Sequence, residues 1–138
     1  MKMAFLLLAL AGCLPTLDAK TPAPPGRAAR LDVIDGFWQP SGYQLELSTG
    51  VAIAVVCEHH EPCEHMRVTS DDPSIAEVRR ASLGVLERSD WDAGARTASA
   101  LVVVGKAAGA TRIRVHADQG DREIAVTVIP PPKALTAN

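Results

Sequence analysis

An all-β domain of many short strands is the fold class this chain predicts, and three observations predict it. The first is composition. Among 138 residues, Val, Ile, Thr and Ala far outnumber the aromatics, and ten Pro and ten Gly punctuate the chain. β-Branched side chains suit a pleated, half-buried surface, and Pro and Gly mark the turns between strands. The second is alternation near the C-terminus: Ile113, Val115 and Ala117 alternate with Arg112, Arg114 and His116, and Ile124, Val126 and Val128 with Glu123, Ala125 and Thr127. A period of two turns one face to a core and the other to water. The third is the unbroken apolar run from Val51 to Val56, which fits a central strand covered on both faces.

The N-terminus is of another kind. Lys2 supplies one charge, Ala4 to Ala11 is apolar throughout, and the small residues Ala11 and Gly12 lead to Cys13. A charged start, a short apolar run and a small-residue exit form a secretory signal peptide. The run is well short of the roughly 20 residues that span a bilayer. Leu10-Ala11-Gly12-Cys13 resembles the bacterial lipoprotein signal, or lipobox. That resemblance implies cleavage after residue 12 and acylation of Cys13, which becomes the new N-terminus. Two or more acyl chains, at about 0.8 kcal/mol per buried methylene, hold a protein stably on a membrane. Leu14 follows the cysteine, where Asp would imply retention in the inner membrane. The resemblance therefore implies the outer membrane of a cell that has two.

Residues 13–30 read as an anchor and tether, because Pro15, Pro22, Pro24, Pro25 and Gly26 interrupt a stretch with no periodic apolar face. Pro-rich segments extend about 3.1 Å per residue, so this one would lift a domain on the order of 50 Å from the lipid. The domain proper is expected over residues 31–130, with a short tail at 131–138. About a hundred residues make one small domain with a thin core. Leu31–Asp35 is expected as the first strand, and Tyr43, Leu45 and Leu47 set the inward face of the second. Met66–Thr69 and Ile75–Val78 flank a turn at Ser70–Ser74, and Thr97–Val104 is a strong strand. The stretch Arg79–Ala98 is the least legible: Leu83, Val85 and Leu86 fit a strand or a short helix, and Ser89–Gly94 reads as a loop. Asp118–Asp121 turns the final hairpin, and Pro130-Pro131-Pro132 ends its ladder, since proline donates no backbone hydrogen bond.

Two stretches resemble the bacterial immunoglobulin-like (Big, group 2) domains. Ser70-Asp71-Asp72-Pro73-Ser74-Ile75-Ala76-Glu77-Val78 is similar to their Ser-x-Asp-Pro-Ser-Val-Ala-x-Val, and Gly109, Thr111, Ile113 and Val115 fit their Gly-x-Thr-x-Ile-x-Val. Ile124–Val128 fits their final strand. The resemblance implies an immunoglobulin-like β-sandwich of about seven strands, and no chemistry. It departs at Val68-Thr69, where those domains carry a Trp, so Trp38 or Trp91 is expected to fill the core instead. The Arg79–Ala98 connection is also longer than theirs.

The dense donor cluster is Cys57-Glu58-His59-His60-Glu61-Pro62-Cys63-Glu64-His65. With Cys13 consumed by lipid, Cys57 and Cys63 form an even pair, which in an oxidising envelope reads as a disulfide. The rival reading is a zinc or copper site built from those thiols with His59, His60 or His65, although the spacing matches no standard zinc motif. Three neighbouring histidines would also gain charge near pH 6.5 and below. Asp71, Asp72 and Ser74 read as turn-capping groups before calcium ligands. Asp90, Trp91 and Asp92 read equally as a contact patch or as a core insertion. His116 falls at an outward position.

The formal charge of −2 becomes −3 when removal of residues 1–12 takes away Lys2, so nothing points to nucleic acid or to an electrostatically bound membrane. The chain has no phosphate-binding glycine loop, nucleophile elbow or His-Glu-x-x-His helix, which argues against an enzyme. The expectation is a monomeric, non-catalytic module held on a bacterial envelope by lipid, contacting another envelope protein or a glycan. The alternative is a metal-binding lipoprotein using the Cys57–His65 loop.

Overall fold

The computed structural model describes residues 14–36, 40–83 and 98–131. It is an immunoglobulin-like sandwich of two sheets. One sheet runs in the order β1 (Thr16–Ala19), β4 (Ala52–His59), β8 (Ala98–Gly105), β7 (Ala76–Leu83), with β5 (Glu61–Pro62) pairing the end of β4. The other runs β2 (Ala29–Ile34), β3 (Gly42–Ser48), β10 (Gly120–Ile129), β9 (Gly109–Ala117), β6 (Arg67–Ser70). Neighbours are antiparallel except β3 and β10, which run parallel with Val126 opposite Leu45. Among the described residues ten strands stand where about seven were expected. Two of the additions are short: four residues in β1 and two in β5.

The alternating residues close the core. Ile113, Val115 and Ala117 of β9 and Ile124, Val126 and Val128 of β10 are all buried, against Tyr43, Leu45 and Leu47 from β3 and Ile53, Val55 and Cys57 from β4. From Ile53 to Cys57 the β4 run is buried on both faces, while Ala52 at its start is exposed. Ile53, Val55 and Cys57 face the sandwich core, and Val56 joins Ala98 and Ala100 in a second, smaller cluster. Trp38 and Trp91 lie outside the described residues. Tyr43, Met66, Leu101 and the leucines of β3 are among the largest fully buried side chains within them. The rest of the Arg79–Ala98 reading splits: β7 continues through Leu83, and residues 84–97 lie outside the description.

The largest correction concerns the tether. Thr16–Ala19 is a strand, paired with β4 from Thr16 opposite Glu58 to Ala19 opposite Val55. Leu17 is 3% exposed and belongs to the main core. Ala29 and Arg30 already form β2, with Ala29 opposite Leu47. The Pro-rich stretch between them is a bridge from one sheet to the other. It is held by a Thr21 hydroxyl that accepts from the Ala54 amide (3.0 Å) and by a turn in which the Arg27 amide donates to the Pro24 carbonyl (3.1 Å). The sandwich therefore begins at Pro15 and Thr16 rather than at Leu31. Proline at the start of a strand costs the ladder little, because its missing N–H falls before the first pair.

The Ser70–Ser74 turn caps its own backbone. The Asp72 carboxylate accepts from the Ser74 amide (3.0 Å) and hydroxyl (2.5 Å), and the Asp72 carbonyl accepts from the amides of Ile75 and Ala76. Those hydrogen bonds hold the Asp72 carboxyl below its ordinary range, the Ser74 hydroxyl contributing most. At the same end Gly105 is required by a close approach: a Cβ there would lie 2.8 Å from the Ser48 carbonyl oxygen.

Candidate functional site at the N-terminal pole

Strand directions gather the chain's chemistry at one end. β1 starts there, β2 ends there at Ile34, β3 and β10 start there, and β4 ends there at His59. The Cys57–His65 loop, the β9–β10 turn and the entry of the chain at Leu14 consequently share one pole. At the other pole lie Thr49-Gly50, Lys106–Ala108 and the exit at Pro130.

The entry is clamped. The Arg122 guanidinium, at an inward position of β10, donates through Nε to the Pro15 carbonyl (2.7 Å) and through Nη1 to the Pro40 carbonyl (3.2 Å). It also lies 5.8 Å from the Tyr43 ring centroid, within range of a cation–π contact. The Tyr43 hydroxyl accepts from the Leu17 amide at 3.0 Å in the interior. Leu14 packs on the β9–β10 turn: a Cβ at Gly120, where φ is +130°, would meet Leu14 Cδ2 at 2.7 Å. Sequence reading missed this role of Arg122. The signal was its place in the period-two series: two before Ile124, it falls on the inward face, where a charge needs a partner.

Cys57 and Cys63 are bonded, with Cα atoms 5.5 Å apart. The Cys63 amide donates to the Cys57 carbonyl (3.1 Å), so bond and backbone close the same small loop. His60 turns it in the left-handed region at φ +57°, and His65 exits at φ +48°. Asn, Asp and His are the non-glycine residues that tolerate this region best. The disulfide takes both thiols out of the ligand set that the metal reading needs. The histidines divide as well. The His59 and His60 rings meet edge to face, centroids 4.9 Å apart. His65 instead pairs through Nδ1 with Asp118 at 2.6 Å. That hydrogen bond, and then the Asp118 charge, raise the His65 pKa above its ordinary 6.5. Among the described residues, Glu64, His65 and Asp118 place one donor atom each within 4.8 Å of one another; all three are exposed, and neither His59 nor His60 belongs to the group. His116 is exposed as expected, and pairs with Asp121 across the hairpin.

An open groove of about 700 Å³ lies beside the clamp, lined by Ile34, Ser41, Tyr43, Arg114, His116 and Arg122 among others. The Ser41 hydroxyl in it donates to the carbonyls of Ile34 and Asp35 at 3.1 and 3.2 Å, so it serves the backbone. Cys13 and residues 1–12 lie outside the described residues, as do Asp90 and Asp92.

No protein-family model matches the chain, and no curated protein matches it. Among solved structures, it is similar to surface layer protein SbsC, domains 4–9, with TM-score 0.44 and 19% identity over 81% of this chain and 15% of that one. It is also similar to the S-layer protein SbsC domains 4 and 5, with TM-score 0.42 and 17% identity over 83% of this chain and 53% of that one. The chain thus spans about half the length of the shorter of these. At such identities the likeness is confined to the fold.

Proposed function

We propose that this chain is a lipid-anchored, non-catalytic module of a bacterial cell envelope, an immunoglobulin-like domain that works by contact with another envelope protein or a glycan. The observation that carries the reading is the position of Leu10-Ala11-Gly12-Cys13 relative to the folded domain. The motif ends one residue before Leu14, and Leu14 and Pro15 already pack on the β9–β10 turn. Folded structure is thus already present at the residue that follows Cys13, where the lipobox resemblance sets acylation. The Cys57–Cys63 bond suits an oxidising compartment, and Leu14 after the cysteine favours the outer membrane where there are two. The resemblance to Big group 2 domains stands on Ser70–Val78 and Gly109–Val115 and supports a structural or adhesive role. Loops and edge strands of a sandwich are where such modules bind. With the thiols bonded, a Cys/His zinc or copper centre loses its strongest donors, and no second reading is favoured.

The test is Cys13→Ser in the full chain. The wild-type protein is expected in the membrane fraction after salt and alkaline washing, with acyl mass on an N-terminal Cys13. The Cys13→Ser protein is expected to carry no acyl mass and to remain uncleaved. Processing of Cys13→Ser at the same bond, or wild type released by the wash, would overturn the reading.

A further inference from the structure

The covalent path from Cys13 to the folded domain is short. From Cys13 to Pro15 is two residues, at most about 7 Å of chain. Its far end is fixed: the Pro15 carbonyl is held by the buried Arg122, and Leu14 lies on Gly120. An acylated Cys13 would sit at the boundary between acyl chains and headgroups. The headgroup layer is itself roughly 5–7 Å thick on each side, from the difference between a full bilayer and its hydrocarbon core. The available chain equals that thickness and leaves nothing over for a spacer.

We infer that the domain rests directly on the lipid surface, its β9–β10 turn pole against the headgroups, with no tether between. The inference rests on acylation of Cys13 as proposed above. It deepens that reading by naming which end of the sandwich meets the bilayer. A second, independent observation points to the same end. Among the described residues the exposed large hydrophobics are Leu14, Val33 and Ile34, at 38%, 50% and 40% exposure. Leu14 lies on the turn, and Val33 and Ile34 close β2 at this pole, opposite Tyr43 and Gly42. Exposed apolar side chains toward one end of a domain suit an interaction site there. Charge argues for lipid contact of a particular kind. Glu58, Glu61, Glu64 and Asp118 share this end with His59, His60, His65 and Arg67, so no one sign of charge selects the headgroup, and the apposition depends on the anchor and the apolar residues. The distal pole, with Thr49-Gly50 and Lys106–Ala108, then stands about 30 Å out, the length of the ten-residue β10 at 3.4 Å per residue. That leaves the distal pole and the sheet edges for partners.

The experiment uses the acylated full chain, purified from membranes and reconstituted in neutral phosphatidylcholine vesicles. Acyl mass on Cys13 is recorded first. A fluorophore is attached at Gln119→Cys on the near pole or at Ala107→Cys on the far one, and quenching by a headgroup-attached nitroxide is read. Quenching several-fold stronger at position 119 than at 107 is expected. Insertion of eight Gly/Ser residues between Cys13 and Leu14 should abolish the difference while vesicle binding persists. Because a new cysteine can disturb the Cys57–Cys63 bond, neutron reflectometry of the unlabelled acylated chain gives a second readout: the protein layer should begin at the headgroups without a solvent gap. An acylated, bound chain with equal quenching at both positions, or with a solvent gap beneath it, overturns this inference alone. A chain without acyl mass overturns it together with the proposed anchor.

Discussion

The β9–β10 hairpin and the N-terminal segment Leu14–Arg30 are built on different rules. In the hairpin, partners sit close in sequence and every second residue faces inward, from Ile113 to Val128. In the N-terminal segment two buried side chains, Pro15 and Leu17, do the work of a whole face. Its backbone partners lie far along the chain: Cys57 is opposite Leu17, and Arg122 reaches Pro15 across 107 positions. A four-residue strand with prolines on both sides carries too little pattern to be distinguished from a spacer. It becomes a strand because a finished sheet edge, the Tyr43 hydroxyl and the Arg122 guanidinium are waiting for it.

Substitutions in the two regions test that contrast, beginning with the largest effect. Val126→Asp should leave the domain unfolded by circular dichroism. It puts an unpaired charge between Leu45 and the rest of the core, at a cost of several kcal/mol, comparable with the whole stability of a small domain, about 5 kcal/mol at the lower end. A folded Val126→Asp protein would mean that the hairpin faces the other way. Leu17→Ala should cost about 2–3 kcal/mol in denaturant unfolding, since a buried leucine leaves a cavity. If residues 13–30 behaved as a solvated tether, the same change would stay within about 0.5 kcal/mol.

Replacing Cys57 and Cys63 together by Ser should lower stability by about 2.4 kcal/mol, the chain-entropy value for a loop of about seven residues. The protein should remain folded, because β4 keeps Ile53 and Val55 in the core. Full alkylation of both thiols without reductant in the wild type would contradict the bond. Tyr43→Phe sharpens the contrast further. It strands the Leu17 amide in the interior and should cost about 1–2 kcal/mol. Hydrogen exchange should quicken in β1 far more than in β9 and β10. Equal changes in both would show that the N-terminal strand is not docked separately.

The smallest effect concerns His65. Its pKa is raised in the folded chain by the hydrogen bond to Asp118. The pairing therefore adds stability fully present below the unfolded value near 6.5 and lost as pH rises through the folded value. The site is exposed, so the clearer readout is the ring titration by NMR. Its midpoint should lie above 6.5 in the wild type and fall back in Asp118→Asn. An unchanged midpoint would mean that the pair does not persist in solution.

The alternation of β3, β9 and β10, the apolar run of β4 and the Asp72 turn were legible in the sequence. Each is a local pattern: side-chain direction repeats every two residues, and a turn bonds its own backbone. The Cys57–Cys63 bond was legible because the cysteines are few and near. The rest is non-local. Arg122 falls at an inward position of the alternation, and only the fold supplies the Pro15 and Pro40 carbonyls that receive it. His59, His60 and His65 read as one cluster until the left-handed turns at His60 and His65 send the last ring to Asp118. By itself the sequence determined the sheets, because apolar periodicity decides which face of each strand must leave water. Only the tertiary structure decided where the domain begins, because a short strand gains its stability from partners the chain supplies elsewhere.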